Sequence, residues 1–249
     1  MKIVAVTNQK GGVGKTTSSY NFVHMASEIC AADPDALVGV IDFCGQGNLS
    51  SFLTGDYQIN KEAGGAELLF ESEQPVFRDT MLDNVKLLHG HRDLEYLDTD
   101  PEALLQKAVA MREWLRELPF KYLIIDTPPA LGPRIAAPLI WADLVIVVIE
   151  PHVSSLTALE DTFETIEEVH DFNPDLEVRI VANQVVKAAK MHKEVLASLD
   201  EKFGSMIDDK LALRTAIAEA CQNHLPVWKQ SKDKKLKQQW RDFAIRALA

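Results

Sequence analysis

Cysteine is scarce in this chain of 249 residues: only Cys30, Cys44 and Cys221 occur. Their number is odd and no C-x-x-C or mixed Cys/His ligand spacing is present, so neither a disulfide framework nor a structural zinc site is indicated, and a reducing cytoplasm is expected. Long apolar runs are lacking too. The longest, "LVIVVI" at 144–149, falls far short of the roughly 20 residues that cross a bilayer, and the early "IVAV" is too short for a secretory leader. Positive charge is in deficit, with 26 Lys and Arg against 37 Asp and Glu, a formal net charge of −11. That excludes a surface basic overall, so contact with nucleic acid or anionic lipid needs a local patch. Internal repeats and low-complexity linkers are also missing, and Gly and Pro fall at element ends. The sequence therefore reads as one domain over 1–249, with a basic helix at about 230–249.

What is present has an ordinary globular balance, 47% hydrophobic and 25% charged. Short β-branched runs ("KIVAV", "ALVGVID", "VKLLHG", "KYLIID", "DLVIVVIE", "EVRIVAN") alternate with helical patterns such as "DPEALLQKAVAMREWLREL" and "SSLTALEDTFETIEEVHDF". Several of the runs are apolar almost throughout, as in strands covered on both faces of a parallel sheet. The alternation predicts an α/β fold: a doubly wound, mostly parallel sheet with helices on both faces. Within 55–80, "GGAELLFESEQPVF" reads as a helix followed by an irregular segment.

In such a sheet, ligands sit beyond the carboxyl ends of the strands. The stretch "NQKGGVGKTTSSYN", residues 8–21, lies there, between the strand "KIVAVTN" and a helix from Thr16 onward whose buried face carries Tyr20, Phe22, Val23 and Ala26. Gly11, Gly12 and Gly14 let backbone N–H groups turn toward an anion, and the helix N-terminus adds its positive end. Lys15 suits β and γ phosphates, and the Thr16 hydroxyl suits Mg²⁺. The strict phosphate-loop pattern fails at one place, because Gln9 occupies the position of its first glycine. Asp126 closes "YLIID" and Asp42 closes "VGVID", where two carboxylates would meet one metal shell; a strand-end Asp also serves as a helix cap or turn former.

Together "KGGVGKTT", "IDFCGQGN", "IIDTPP" and "ADLVIVVIEPHVSSLTALED" resemble the ParA/MinD family of deviant Walker-A P-loop ATPases, of the small type without an N-terminal helix-turn-helix domain. The resemblance covers nearly the whole chain, with 55–115 carrying little of it. It implies Mg²⁺ and ATP as cofactors, with nucleotide contacts from Lys10, Gly11, Gly12, Val13, Gly14, Lys15, Thr16, Thr17 and Asn183, the last reading adenine. It implies metal contacts from Thr16, Asp42 and Asp126, and catalytic roles for Lys10, Lys15 and Asp42. Lys10, the signature lysine, would cross to the phosphates of a partner copy in an ATP-state homodimer, a role akin to that of an arginine finger.

One departure matters. The family writes its switch segment D-x-D-P-Q-G-N, whereas this chain has Asp42-Phe43-Cys44-Gly45-Gln46-Gly47-Asn48. The second aspartate, which positions the attacking water in the family, is Cys44, and a thiol beside phosphate charge stays neutral and serves poorly as a base. Slow ATP hydrolysis is expected, and an ATP-dependent binding switch with negligible turnover is the competing reading. At the C-terminal end, Lys234, Lys235, Lys237 and Arg241 cluster on a stretch whose Leu236, Trp240, Phe243 and Ala247 share one helical face. Its readings are a helix packed on the core with a solvated basic face, nonspecific DNA binding as in partitioning ATPases, and a MinD-like membrane-surface helix. The stripe has few large residues, so stable membrane association is not expected. The resemblance implies a plasmid or chromosome partitioning ATPase, cytoplasmic and nucleoid-associated, released from DNA by a ParB-like or other adaptor.

Overall fold

Lys2–Thr7 forms the first strand, β1, and shows why the sheet is covered twice: Ile3 and Ala5 enter one apolar core, Val4 and Val6 another, and all four are fully buried. The structure is a computed structural model that describes residues 1–57, 65–71, 75–129 and 132–249. Among the described residues, the other strands are β2 (Leu37–Asp42), β3 (Arg78–Asp79), β4 (Val85–Leu88), β5 (Phe120–Asp126), β6 (Leu144–Ile149), β7 (Glu177–Val185) and β8 (Ile207–Ala212). They make one sheet in the order β3-β4-β2-β5-β1-β6-β7-β8. Every pairing is parallel except β3 with β4.

The helices are α1 (Lys15–Cys30), α2 (Asn48–Thr54), α3 (Pro101–Glu117), α4 (Pro133–Trp141), α5 (Val153–Glu168), α6 (Lys190–Phe203), α7 (Thr215–Gln222), α8 (Val227–Gln230) and α9 (Lys234–Leu248). One face is covered by α1, α2 and α7 to α9, the other by α3 to α6. Local chemistry sets several starts. Asp100 caps α3 by accepting from Ala103 N at 3.1 Å, with Pro101 in the first turn, and Asp233 caps α9 by accepting from Lys235 N at 2.8 Å. The α9 stripe is core: Trp240 and Phe243 are completely buried, and Phe243 meets Phe22 of α1 edge-on at 5.0 Å between ring centroids. Removing such a ring costs about 3–5 kcal/mol.

The six strand runs seen in the sequence are all strands, but β3 and β8 are additional. Part of "GGAELLFESEQPVF" departs from the expected helix: Ala66–Phe70 is a single 3₁₀ stretch, and residues 64 and 72–74 lie outside the described residues.

Candidate functional site

The sheet brings β1, β2 and β5 side by side, with Asp42 of β2 in register with Asp126 of β5, and Asp126 in register with Val6 of β1. Both carboxylates therefore reach the edge where the loop after β1 turns into α1. That loop needs its glycines: Gly12 and Gly14 have φ of 76° and 98°, and a Cβ at Gly14 would collide with the Asn183 amide nitrogen. The loop is held from outside as well. Asn183 Nδ2 donates to Val13 O at 2.9 Å, Gln184 Nε2 donates to Gly12 O at 2.6 Å, and Asn8 Oδ1 accepts from Lys10 N at 2.7 Å. Gly14 stands at the start of α1 with no side-chain cap, so the first N–H groups of the helix remain for an anion.

Gly11, Gly12, Gly14 and Lys15 to Thr17 form one wall of a cleft of about 320 Å³; Cys44, Gln46, Asn48 and Phe52 form another, with Thr127 and Pro129 between. A larger depression, about 610 Å³ between Phe70 and Lys107, also holds a lysine and the carboxylates of Glu71 and Asp100, but among the described residues no glycine loop lines it. Chemistry rather than size selects the smaller cleft.

Thr16 Oγ1 donates to Asp126 Oδ2 at 2.7 Å, and Ser19 Oγ donates to Asp126 Oδ1 at 2.8 Å. Asp42 accepts from Cys44 N at 3.0 Å through Oδ1, and from Ser50 N at 3.0 Å and Ser50 Oγ at 2.8 Å through Oδ2. Both carboxylates are fully buried. Burial raises both pKa values; the neighbouring Asp42 charge lifts Asp126 further, while hydrogen bonds from Ser50 and backbone amides oppose the rise at Asp42. Lys15 is the nearby cation. Its Nζ donates to Lys10 O at 2.9 Å, and burial lowers its pKa against the opposing pull of Asp126. Two buried carboxylates whose repulsion is only partly relieved, with a threonine hydroxyl bonded to one of them, form an oxygen donor set that fits Mg²⁺.

The remaining expected residues fall at several places. Lys10 is about one-third exposed at the loop, with Nζ 3.4 Å from Glu150. Cys44 is 7% exposed, and burial together with Asp42 pushes its thiol up to about 11. Asn183 meets the phosphate loop itself, its amide nitrogen being engaged by Val13. Lys234 and Lys235 are exposed and Lys237 half-buried, and among the described residues none of the three has an ion-pair partner; Arg241 lies 3.4 Å from Glu28. Sequence reasoning gave no role to Ser19 and Glu150, although both lie within recognised stretches, and it missed Ser50 and Gln184; all four enter through contacts made across the fold.

The profile of the AAA domain family matches residues 1–178. The chain is similar to Protein IncC of Escherichia coli, 31% identical over 248 residues, 93% of this chain and 64% of that protein. It is also similar to the chromosome partitioning protein ParA of Caulobacter vibrioides, 27% identical over 230 residues, 88% of this chain and 84% of that one. Among solved structures, a variant McdA–ATP complex from Cyanothece shares the fold with a TM-score of 0.81 at 19% identity, covering 100% of this chain and 96% of that chain.

Proposed function

The chain belongs to the ParA/MinD family of P-loop ATPases, and from that premise we propose that it is a ParA-type partitioning ATPase whose ATP-bound homodimer binds DNA nonspecifically and is released by an adaptor. The observation that carries the nucleotide site is the glycine loop with Lys15 and Thr16 facing the register-paired carboxylates Asp42 and Asp126. In this reading the N–H groups from Gly11 to Thr17 bind the ATP phosphates, and Lys15 leaves the Lys10 carbonyl to neutralise them. Thr16, Asp42 and Asp126 would hold Mg²⁺, which when bound supplies charge neutralisation on the phosphates. Asn183 and Gln184 keep the loop in shape; since the Asn183 amide nitrogen is bonded to Val13 O, adenine contact from this residue would use its amide oxygen.

Lys10 is the arm toward a second copy. Its pairing with Glu150 is long and partly exposed, so exchanging it for a partner's phosphates gives up little. Cys44 supplies no carboxylate for the attacking water, so turnover is slow. Each copy contributes the unpaired Lys234, Lys235 and Lys237, and dimerisation doubles that modest patch. The burial of Leu236, Trp240 and Phe243 supports DNA over lipid, since the apolar stripe is already occupied by the core.

Titration with a fluorescent ATP analogue, combined with light scattering, tests the division of labour. Lys15→Ala is expected to abolish nucleotide binding. Lys10→Ala is expected to keep it and lose the ATP-dependent dimer; an unchanged dimer fraction in Lys10→Ala refutes the in-trans role.

A further inference from the structure

Ser50 is 2% exposed in α2 and joins three segments through one hydroxyl. Its Oγ donates to Asp42 Oδ2 at 2.8 Å and accepts from Gly90 N at 3.0 Å, while its own amide donates to the same carboxylate oxygen at 3.0 Å. A serine hydroxyl has a single proton, and that proton goes to Asp42; the amide on its other side fixes the direction from which it is given. The Gly90 turn is packed directly against the carboxylate: a Cβ there would collide with the Cys44 carbonyl oxygen and fall 2.9 Å from Asp42 Cγ.

The turn is anchored away from the nucleotide cleft. Ala66 N donates to His89 O at 3.0 Å, His91 Nε2 lies 2.6 Å from Glu67 Oε2, and Glu67 Oε1 accepts from Gly65 N at 3.0 Å. A rotation of the Asp42 side chain must therefore break the Ser50 bond or move a turn held by several others. The chain has built a rigid support behind one of its two candidate metal carboxylates. Asp126 is supported differently, by Thr16 and Ser19 of the helix that follows the phosphate loop.

We propose that Ser50 is a positioning residue for Asp42: it holds the carboxylate in the orientation that a divalent cation requires, with the Gly90 turn as its anchor, and so sets the metal dependence of nucleotide binding. The inference rests on the metal role given to Asp42 in the ATPase reading. Ser50→Ala would leave Asp42 Oδ2 with one donor and the buried Gly90 amide with none, freeing the carboxylate to turn. Groups that orient metal ligands typically carry about 10- to 100-fold in metal affinity.

The test titrates Mg²⁺ into full-length protein with a bound fluorescent ATP analogue, comparing wild type, Ser50→Ala, Ser50→Thr, Asp42→Asn and the Ser50→Ala/Asp42→Asn double variant, with melting curves for each. Ser50→Ala is expected to raise the Mg²⁺ midpoint by about 10-fold or more while metal-free nucleotide affinity stays level. Ser50→Thr restores most of the loss, and Ser50→Ala adds nothing once Asp42 is Asn, because the hydroxyl acts through that carboxylate. If Ser50→Ala does not fold, Ser50→Cys keeps the volume with a weaker donor and shifts the midpoint in the same direction. An unchanged midpoint in a folded variant, or a shift that persists undiminished beside Asp42→Asn, overturns the inference alone. Wild-type nucleotide binding that ignores Mg²⁺ overturns both it and the ATPase reading.

Discussion

Cys44→Asp restores the residue that the family places in the switch segment, and the structure sets what this does to stability and to rate. The thiol sits 7% exposed beside Asp42, and burial first, then that charge, moves it from an ordinary 9.0 up to about 11. A rise of that size corresponds to about 3 kcal/mol against an anion at this position. A carboxylate introduced there meets a similar penalty, so its pKa in the folded, unliganded protein rises above the unfolded value near 4. A raised acid pKa means that the folded state binds more protons, so the cost is fully present at neutral pH and disappears as pH falls through the folded pKa toward 4. At pH 7 the unliganded variant is expected to melt about 5–10 °C below wild type, with the gap closing in acid. A positioned general base is worth about 10² to 10⁴ in rate, so single-turnover ATP hydrolysis should rise at least about tenfold. Alkylating Cys44 in the wild type adds bulk without a carboxylate and should not accelerate the reaction. Calorimetry from pH 4 to 8 and a quench assay with ATP and Mg²⁺ read both effects. A variant that binds ATP normally but hydrolyses it no faster refutes the missing-base argument, and one that melts like wild type at pH 7 refutes the burial argument.

Replacing Lys234, Lys235 and Lys237 by Ala should flatten the dependence of log DNA affinity on log salt by up to about 0.9 for each phosphate no longer neutralised, measured by fluorescence anisotropy in ATP; an unchanged slope moves the DNA surface off α9. His24 is buried, and burial followed by the Lys229 charge lowers its imidazole to about 4, so stability should be lost as pH falls from about 6.5 to 4, by about 3 kcal/mol in urea unfolding. His24→Gln should shrink that acid loss, and an unaltered acid limb would show that His24 titrates normally.

The fold was legible where burial is symmetric. Runs such as "LVIVVI" are apolar at every position because helices cover both faces, and β6 is buried from Leu144 to Ile149. The strands that escaped notice lack that signal. Arg78–Asp79 is a two-residue edge piece, and "IDDKLA" carries acids whose partner is Arg246, 37 or 38 residues later on α9. No local pattern marks a strand whose charged side chains are answered by a helix some way further along the chain. The stretch around Ala66–Phe70 failed for a related reason: its turn is fixed by Ala66 N bonding the His89 carbonyl, so helical spacing gave way to a tertiary contact.

The site divides along the same line. A phosphate loop is a contiguous device whose glycines, lysine and threonine act from fixed places along a short run of chain, so spacing alone conveys it. Asp42 and Asp126 lie far apart in the chain and become neighbours only because β5 enters the sheet between β2 and β1. Their strand-end positions were visible; their register and shared burial were not. Asn183 carries the point further. Its place at the end of "RIVAN" suggested base recognition, yet its amide nitrogen is bonded to Val13 O and blocks any side chain at Gly14. An amide that supports the phosphate loop links loop shape to any contact the same side chain makes with a base. Asn183→Ala should therefore disturb phosphate binding as well as base preference, so titrations with ATP, GTP and inorganic triphosphate should all weaken; triphosphate affinity equal to that of wild type would leave Asn183 with base recognition alone.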